Sequence, residues 1–199
     1  MSKIFIISAP SGCGKTTLVR EICNSYSFLE QTISHTTRKI RANEVDGKDY
    51  LFINDQEFMR KVNNKEFIEY QNVYNNLYGT SFSSIKSIID SGKDAILEID
   101  FRGMLAIKKS IPSAISIYIF PPSIQELRAR LKSRAMDSDE VIDNRVSHAA
   151  KELSYSKFSD YIIVNDHFSD AVKSLKNTIL HTKLQDNSNI TALNSFLES

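Results

Sequence analysis

Apolar and polar positions alternate between two periods along this chain. Ile4-Phe5-Ile6-Ile7 is an unbroken apolar run, as in a strand buried on both faces of a parallel sheet, and predicts a strand over Ile4–Ser8. Leu18, Val19, Ile22, Cys23 and Tyr26 then recur at helical spacing, predicting a helix from Thr16 that ends before Ser27. A short second strand is expected over 29–33. From Ser34 to Thr80 the pattern turns β-rich. Asp46-Gly47 marks a turn, Asp55 caps a short helix through Phe58 and Val62, and 67–70 and 72–74 read as strands joined to 77–79 by Asn75-Asn76. Helical spacing returns at Ile85, Ile88 and Ile89 and closes at Ser91-Gly92. A strand over 95–100, a helix over 102–109 and a strand over 115–120 follow, the last stopped by Pro121-Pro122. Ser123 with Glu126 fits a capping box for a helix over 127–134. An acidic hinge, 137–140, leads to a helix from Val141 to about Ser154, and Tyr161–Val164 is the last strand. Ser169 is expected to cap a closing helix through Val172, Leu175 and Ile179. Beyond Lys183 the chain is polar and weakly periodic, a loose tail or a short docking helix.

Strands alternating with helices give an α/β fold: a parallel sheet with helices on both faces, interrupted by a small β-rich insertion. Ligands then bind beyond the carboxyl ends of the strands. A length of 199 residues suits one such domain with inserts. The formal net charge of +1 argues against broad nucleic-acid binding, so basic side chains matter in local clusters. Two cysteines, Cys13 and Cys23, make no disulfide framework. No leader pattern and no apolar run of membrane length is seen, and a cytoplasmic location is expected.

The first strand runs into Ser8-Ala9-Pro10-Ser11-Gly12-Cys13-Gly14-Lys15-Thr16-Thr17 and then a helix. That layout is a phosphate-binding P-loop, departing from G-x-x-x-x-G-K-[ST] by one methyl group at Ala9. Loop N–H groups and the helix N-terminus offer positive charge to phosphate. Lys15 adds a full charge, and the Thr16 hydroxyl can ligate Mg²⁺. Cys13 fits a small tolerated loop residue better than a reactive thiol.

Other clusters are less specific. Arg38 and Arg41, with Tyr50 and Tyr78, suit a phosphomonoester, since guanidinium groups bind phosphate in a fork; a solvated loop fits the two arginines equally well. Glu98 and Asp100 lie two apart at the end of a strand, which predicts that they share a face and can hold Mg²⁺ through its waters. Arg130, Arg134 and Arg145 flank the acidic hinge, where lid arginines could meet a transferring phosphoryl group; singly, each reads as a surface residue. The histidines show no metal-ligand spacing.

Together these residues resemble the guanylate kinase family over about 3–180. The likeness rests on the Ser-Ala-Pro-Ser-Gly-x-Gly-Lys-Thr-Thr loop and on Ser34, Thr36, Thr37, Arg38 and Arg41 followed by Glu44, Gly47 and Tyr50. It continues through Phe67-Ile68-Glu69, Leu77-Tyr78-Gly79-Thr80-Ser81, Asp100 with Gly103, and Pro121-Pro122-Ser123. Arg130-Leu131, Arg134, Arg145 and Asn165-Asp166 complete it. The resemblance implies an ATP:GMP phosphotransferase using Mg²⁺, a P-loop NTPase-type core, an inserted GMP-binding sub-domain and a helical lid. Residues 1–33, 82–125 and 155–183 would be core, 34–81 the GMP-binding insertion, 126–154 the lid and 184–199 a tail. By the same token Ser11, Gly12, Cys13, Gly14, Lys15, Thr16 and Thr17, with Arg134, Arg145 and Asn165, would bind ATP. Arg38, Arg41, Tyr50 and Tyr78 would hold the GMP phosphate, and Ser34, Glu69 and Thr80 would read guanine. Glu98 and Asp100 would serve the acceptor, with Thr16 and Asp100 toward Mg²⁺. Lys15, Arg38, Arg134 and Arg145 would carry catalysis. Guanine's N1–H and N2–H suit a carboxylate, and its O6 suits a hydroxyl; adenine reverses this and leaves buried groups unpaired.

The sequence departs from the family in three places: Ala9 for the glycine of many members, Ala42-Asn43 where Arg-x-Gly-Glu is common, and Glu98 for the more usual Asp. Two rivals are a non-catalytic module binding phosphopeptides, which tends to lose the P-loop, and a P-loop kinase with another acceptor. Small-molecule substrates, no nucleic acid, no membrane, and a monomer or homodimer are expected.

Overall fold

Strand β1 (Ile4–Ser8) becomes the middle of the larger sheet because its side chains from Phe5 onward are buried. The computed structural model describes residues 2–42, 44–73, 75–134 and 139–184, with Arg134 by its backbone alone. Asn43, Tyr74, Asp137, Ser138, the tail over 185–199 and the Arg134 side chain lie outside the described residues.

The helix after the loop is α1 (Lys15–Ser25). β2 (Leu29–Gln31) follows and is shorter than the 29–33 expected. A second group holds β3 (His35–Thr36), β4 (Leu51–Phe52), α2 (Asp55–Asn63), β5 (Phe67–Val73) and β6 (Asn76–Ser81). Next come α3 (Phe82–Asp90), β7 (Asp94–Ile99), α4 (Phe101–Ser110), β8 (Ile115–Phe120), α5 (Ile124–Arg134) and α6 (Asp139–Leu153). A 3₁₀ turn (Ser154–Phe158), β9 (Tyr161–Val164) and α7 (Phe168–Leu184) close the order.

The five-stranded sheet runs β2-β7-β1-β8-β9, all pairs parallel, with Ser8 opposite Ile99 and Tyr118. Period two sends Phe5 and Ile7 to one face and Ile6 to the other. The first face packs on Leu18 and Ile22 of α1, Leu127 and Leu131 of α5, and Leu175 of α7. The second packs on Ile85 and Ile88 of α3 and Met104 and Ile107 of α4. These layers place the loop before α1 and the end of β7 on one rim.

The four-stranded sheet runs β4-β3-β6-β5. β5 is one strand where two were expected, with a register irregularity between Phe67 and Glu69. Such a bulge re-aims a side chain. Cap positions also shift. Asn54, not Asp55, caps α2 by accepting from the Glu57 N–H at 2.8 Å. Ser169 lies inside α7, whose first turn closes on the His167 carbonyl instead. At Ser123 the hydroxyl accepts from Glu126 N–H (3.0 Å), while the Glu126 carboxylate accepts from Arg130 Nε (2.9 Å).

Candidate active site

The loop between β1 and α1 is held by neighbours on several sides. Gly14 caps α1 at φ 83°, a left-handed conformation that a Cβ resists, and a Cβ there would run into Asn165 Nδ2. That Asn165 amide, almost fully buried, donates to the Cys13 carbonyl at 2.8 Å. The Cys13 side chain belongs to the apolar core, and Leu127 and Leu131 press against Gly12. Arg145 of α6 donates from NH2 to Ser11 Oγ at 2.7 Å, bringing a guanidinium to the loop. Lys15 Nζ donates to the Ile99 carbonyl at 2.9 Å, across to the end of β7. Thr16 Oγ1 donates to Glu98 Oε1, and Glu98 Oε2 accepts from Gln31 Nε2 at 3.1 Å. The first turn of α1 carries no acidic residue, so nothing on the helix itself offsets its positive N-terminal end.

Beside this loop lies a cleft of about 210 Å³ lined by Gly12, Gly14, Thr17, Arg130, Ser133, Asn165, Asp166 and Phe168. Arg130 is more than a surface helix residue. Its guanidinium bonds Glu126, the Asn165 carbonyl (2.9 Å) and the Asp166 carbonyl (3.3 Å), and so ties α5 to the segment after β9. The spacing of arginines near the hinge hinted at it; Phe168 gave no signal beyond being aromatic ahead of the last helix.

The second group of residues gathers on the small sheet. Ser34 Oγ and Thr80 Oγ1 are 3.2 Å apart, and Thr80 Oγ1 donates to Glu69 Oε1 at 2.7 Å. Thr80 and Glu69 are 0% and 7% exposed, which makes this row a buried edge of polar atoms. Burial is the main cause that pushes the Glu69 carboxyl up to about 7; the Thr80 hydrogen bond opposes it, Asp100 raises it and Lys15 lowers it. Gly103 in α4 makes room, since a Cβ there would stand 2.8 Å from Glu69 Oε2.

Arg38 Nε donates to the Tyr78 hydroxyl at 3.2 Å and NH2 to Glu44 Oε1 at 2.7 Å. The Glu44 bond raises the Arg38 pKa further and holds the Glu44 carboxyl below its usual range. The guanidinium also lies 5.5 Å from the Tyr50 ring centroid, and Tyr50 packs edge-on to Tyr78. Burial pushes the Tyr50 hydroxyl up to about 12, followed by Glu98 and Tyr78. Arg41 is exposed and meets Glu44 Oε2 through its backbone N–H at 2.9 Å. Glu44, which carries this pair, was visible in the sequence only as part of the family likeness.

Asp100 corrects one expectation. β7 ends at Ile99, so strand alternation does not place Asp100 on one face with Glu98. Asp100 is the N-cap of α4, and its Oδ1 accepts from Gly103 N–H at 2.8 Å. Helix capping takes over where the strand stops, and Asp100 still faces Glu69 electrostatically.

The geometry joins the Ser8–Thr17 loop, through the Lys15 Nζ bond to the Ile99 carbonyl, to the end of β7, next to which Asp100 faces the Glu69–Thr80 pair electrostatically. Comparison with known proteins shows the family. A family model described as guanylate kinase matches residues 1–182. The chain is similar to the guanylate kinase of Geobacter metallireducens, 47% identical over 177 residues, 89% of this chain and 87% of that one. It is also similar to the guanylate kinase of Pseudomonas fluorescens, 43% identical over 182 residues, 92% of this chain and 88% of that one. Among solved structures, the guanylate kinase of Anaplasma phagocytophilum matches at TM-score 0.78 and 30% identity, over 93% of this chain and 88% of that one.

Proposed function

This chain belongs to the guanylate kinase family, and from that premise we propose how its own residues carry out the family's reaction. The reaction is transfer of the γ-phosphate of ATP to GMP, giving GDP and ADP. The observation that carries the assignment of roles is the Ser34–Thr80–Glu69 row, buried at Thr80 and Glu69, with Lys15 as an electrostatic neighbour of Glu69.

Glu69 accepts from guanine N1–H and N2–H while Thr80 and Ser34 serve O6. Arg38 and Arg41, with Tyr50 and Tyr78, hold the GMP phosphate; Glu44 keeps Arg38 aimed, as their 2.7 Å bond supports. Ser11 to Thr17 wrap the ATP phosphates through loop N–H groups, Lys15 moves from its carbonyl contact to the β- and γ-oxygens, and Asn165 lies beside adenine. Arg145, already at Ser11, and Arg134 bring positive charge to the transferring group. The acceptor oxygen is ionised, so no general base is required, and alignment with charge stabilisation does the work.

Mg²⁺ fits the donors present: the Thr16 hydroxyl and the Glu98 carboxylate are hard oxygens in contact, and Asp100, one residue past the end of β7, would reach the ion through its waters. When bound it supplies charge neutralisation at the β- and γ-phosphates. Among the described residues no helix is long and apolar enough to cross a membrane. A cytoplasmic setting belongs to the same proposal, supported by a cysteine content too small for a disulfide framework. The deciding experiment measures ADP release with GMP, AMP, CMP or UMP as acceptor. GMP alone sustains turnover if the roles are right; equal rates with AMP overturn the guanine assignment.

A further inference from the structure

The lid helix α6 returns to the core beside the helix that underlies the acceptor row, and the junction is aromatic. Phe101 opens α4, and Tyr155 lies in the 3₁₀ turn directly after α6. Their rings stack with centroids 4.1 Å apart and planes at 17°. Tyr155 is still 36% exposed, so this is a boundary contact outside the core. The Arg102 guanidinium lies over the same Phe101 ring at 5.5 Å and donates to the Asn72 carbonyl of β5 at 3.4 Å. A continuous line of contacts thus runs from β5, the strand of Glu69, through Arg102 and Phe101 to Tyr155.

Both ends of that line touch the chemistry. Asp100, next to Phe101, caps α4 through the N–H of Gly103, the residue lying against Glu69. At the other end, α6 carries Arg145, bonded to Ser11, and its last turn is anchored to β8 by the Tyr118 hydroxyl donating to the Glu152 carbonyl at 2.9 Å.

We propose that the Phe101–Tyr155 stack is the joint through which an occupied acceptor site biases the lid toward closure, with Tyr155 as a positioning residue acting through Phe101. The inference rests on the ATP and GMP roles given above. GMP seated on Glu69 fixes the carboxylate against Gly103 and thereby the first turn of α4. A flat stack carries the orientation of that turn into the 3₁₀ turn, because tilting either ring breaks face contact along its whole width. The angle at which α6 leaves the turn then sets where Arg145 stands over the loop. Linkage makes the joint reciprocal: ATP tightens GMP by the factor with which GMP tightens ATP.

The test is calorimetric titration of GMP into the full chain, alone and saturated with a methylene-bridged ATP analogue that cannot be cleaved. In the unaltered protein the analogue tightens GMP about tenfold. Tyr155→Leu keeps apolar volume but has no flat face; it brings that factor within about twofold of unity and leaves GMP affinity without the analogue unchanged within about twofold. Tyr155→Phe retains the full factor. In turnover, Tyr155→Leu raises KM for GMP at saturating ATP more than it lowers kcat. Phe101→Leu breaks the joint from the other side and decides the matter where Tyr155→Leu lowers the melting midpoint. Undiminished coupling in both Leu variants overturns the proposal, as does an unaltered protein without coupling. A chain that fails to bind GMP at all overturns the functional reading instead, so the two failures are distinct.

Discussion

Glu69 is pushed toward neutrality by its surroundings, while the role proposed for it needs its charge. Its carboxyl, pushed up to about 7 chiefly by burial, keeps its proton in the empty fold at a pH where an unfolded chain has lost it. Between the ordinary carboxylate value and 7 the native state therefore binds more protons, and stability falls as pH rises through that window. In the proposed role guanine needs the ionised form, so KM for GMP should climb as pH falls below about 7, followed by steady-state rates between pH 5.5 and 8.5. Glu69→Gln removes that pH dependence and raises KM throughout. The same variant melts higher than the unaltered protein at pH 8, by up to roughly 3 kcal/mol, and loses the advantage at pH 4. Lys15 is simpler. Its ammonium donates to the Ile99 carbonyl in the empty loop, and Lys15→Ala should cut kcat by roughly 10²–10³ with the fold intact, read by ADP release and circular dichroism.

At the scale of elements, α4 shows a helix shaped for a neighbour's carboxylate. Gly103 in its first turn costs about 1 kcal/mol of helix propensity relative to alanine. Gly103→Ala should therefore leave the melting midpoint unchanged or raised while a Cβ 2.8 Å from Glu69 Oε2 displaces the carboxylate. KM for GMP rises and KM for ATP stays; a variant with unaltered KM for GMP shows that Glu69 can give way. The small sheet carries a second titration. His35 is buried against Phe67, with rings at 5.2 Å and 70°, and burial, then Lys61, lowers its pKa. The unfolded chain binds the proton more readily, so stability is present above about 6.5 and is lost as pH falls through the lowered value. His35→Leu should flatten that acid limb in thermal melts of the unliganded protein. Strand and helix centres were readable because apolar period is a local property: β1, β8 and β9 fall where the pattern put them. Their ends were less so. Asp100 reads as a strand carboxylate until the N–H of Gly103 claims it, and Asn54 outcompetes Asp55 for a cap on geometry that no spacing records.

For the whole molecule, order along the chain and order in space part company. The Ser8–Thr17 loop is one contiguous segment, so its sequence carried nearly all of the chemistry proposed for it. The row proposed to read the acceptor joins Ser34, Glu69 and Thr80 across three segments, and only likeness to a family linked them before the fold did. Arg130 and Phe168 stayed unassigned because their value comes from the cleft they share with Asn165. The most distant ties lie at the opposite end of the sheet. Asp94, 1% exposed, accepts from the Lys3 N–H at 2.9 Å and from Lys183 Nζ, and Lys3 Nζ donates to the Thr182 carbonyl at 2.6 Å. Asp94→Ala removes the acceptor that both share; with Lys183 a third exposed and still over the Phe28 ring, the change should cost about 1–2 kcal/mol and lower the melting midpoint by roughly 2–8 °C.

That knot near Asp94 makes the start of β1 and the end of α7 next-door neighbours, on the side of the sheet away from the Ser8–Thr17 loop. The order in which the elements are synthesised is then a convenience of the gene. A circularly permuted chain, with a short glycine–serine bridge from Leu184 to Ser2 and new ends opened at the exposed Ser91-Gly92 turn, keeps every strand pairing of both sheets. It should still phosphorylate GMP.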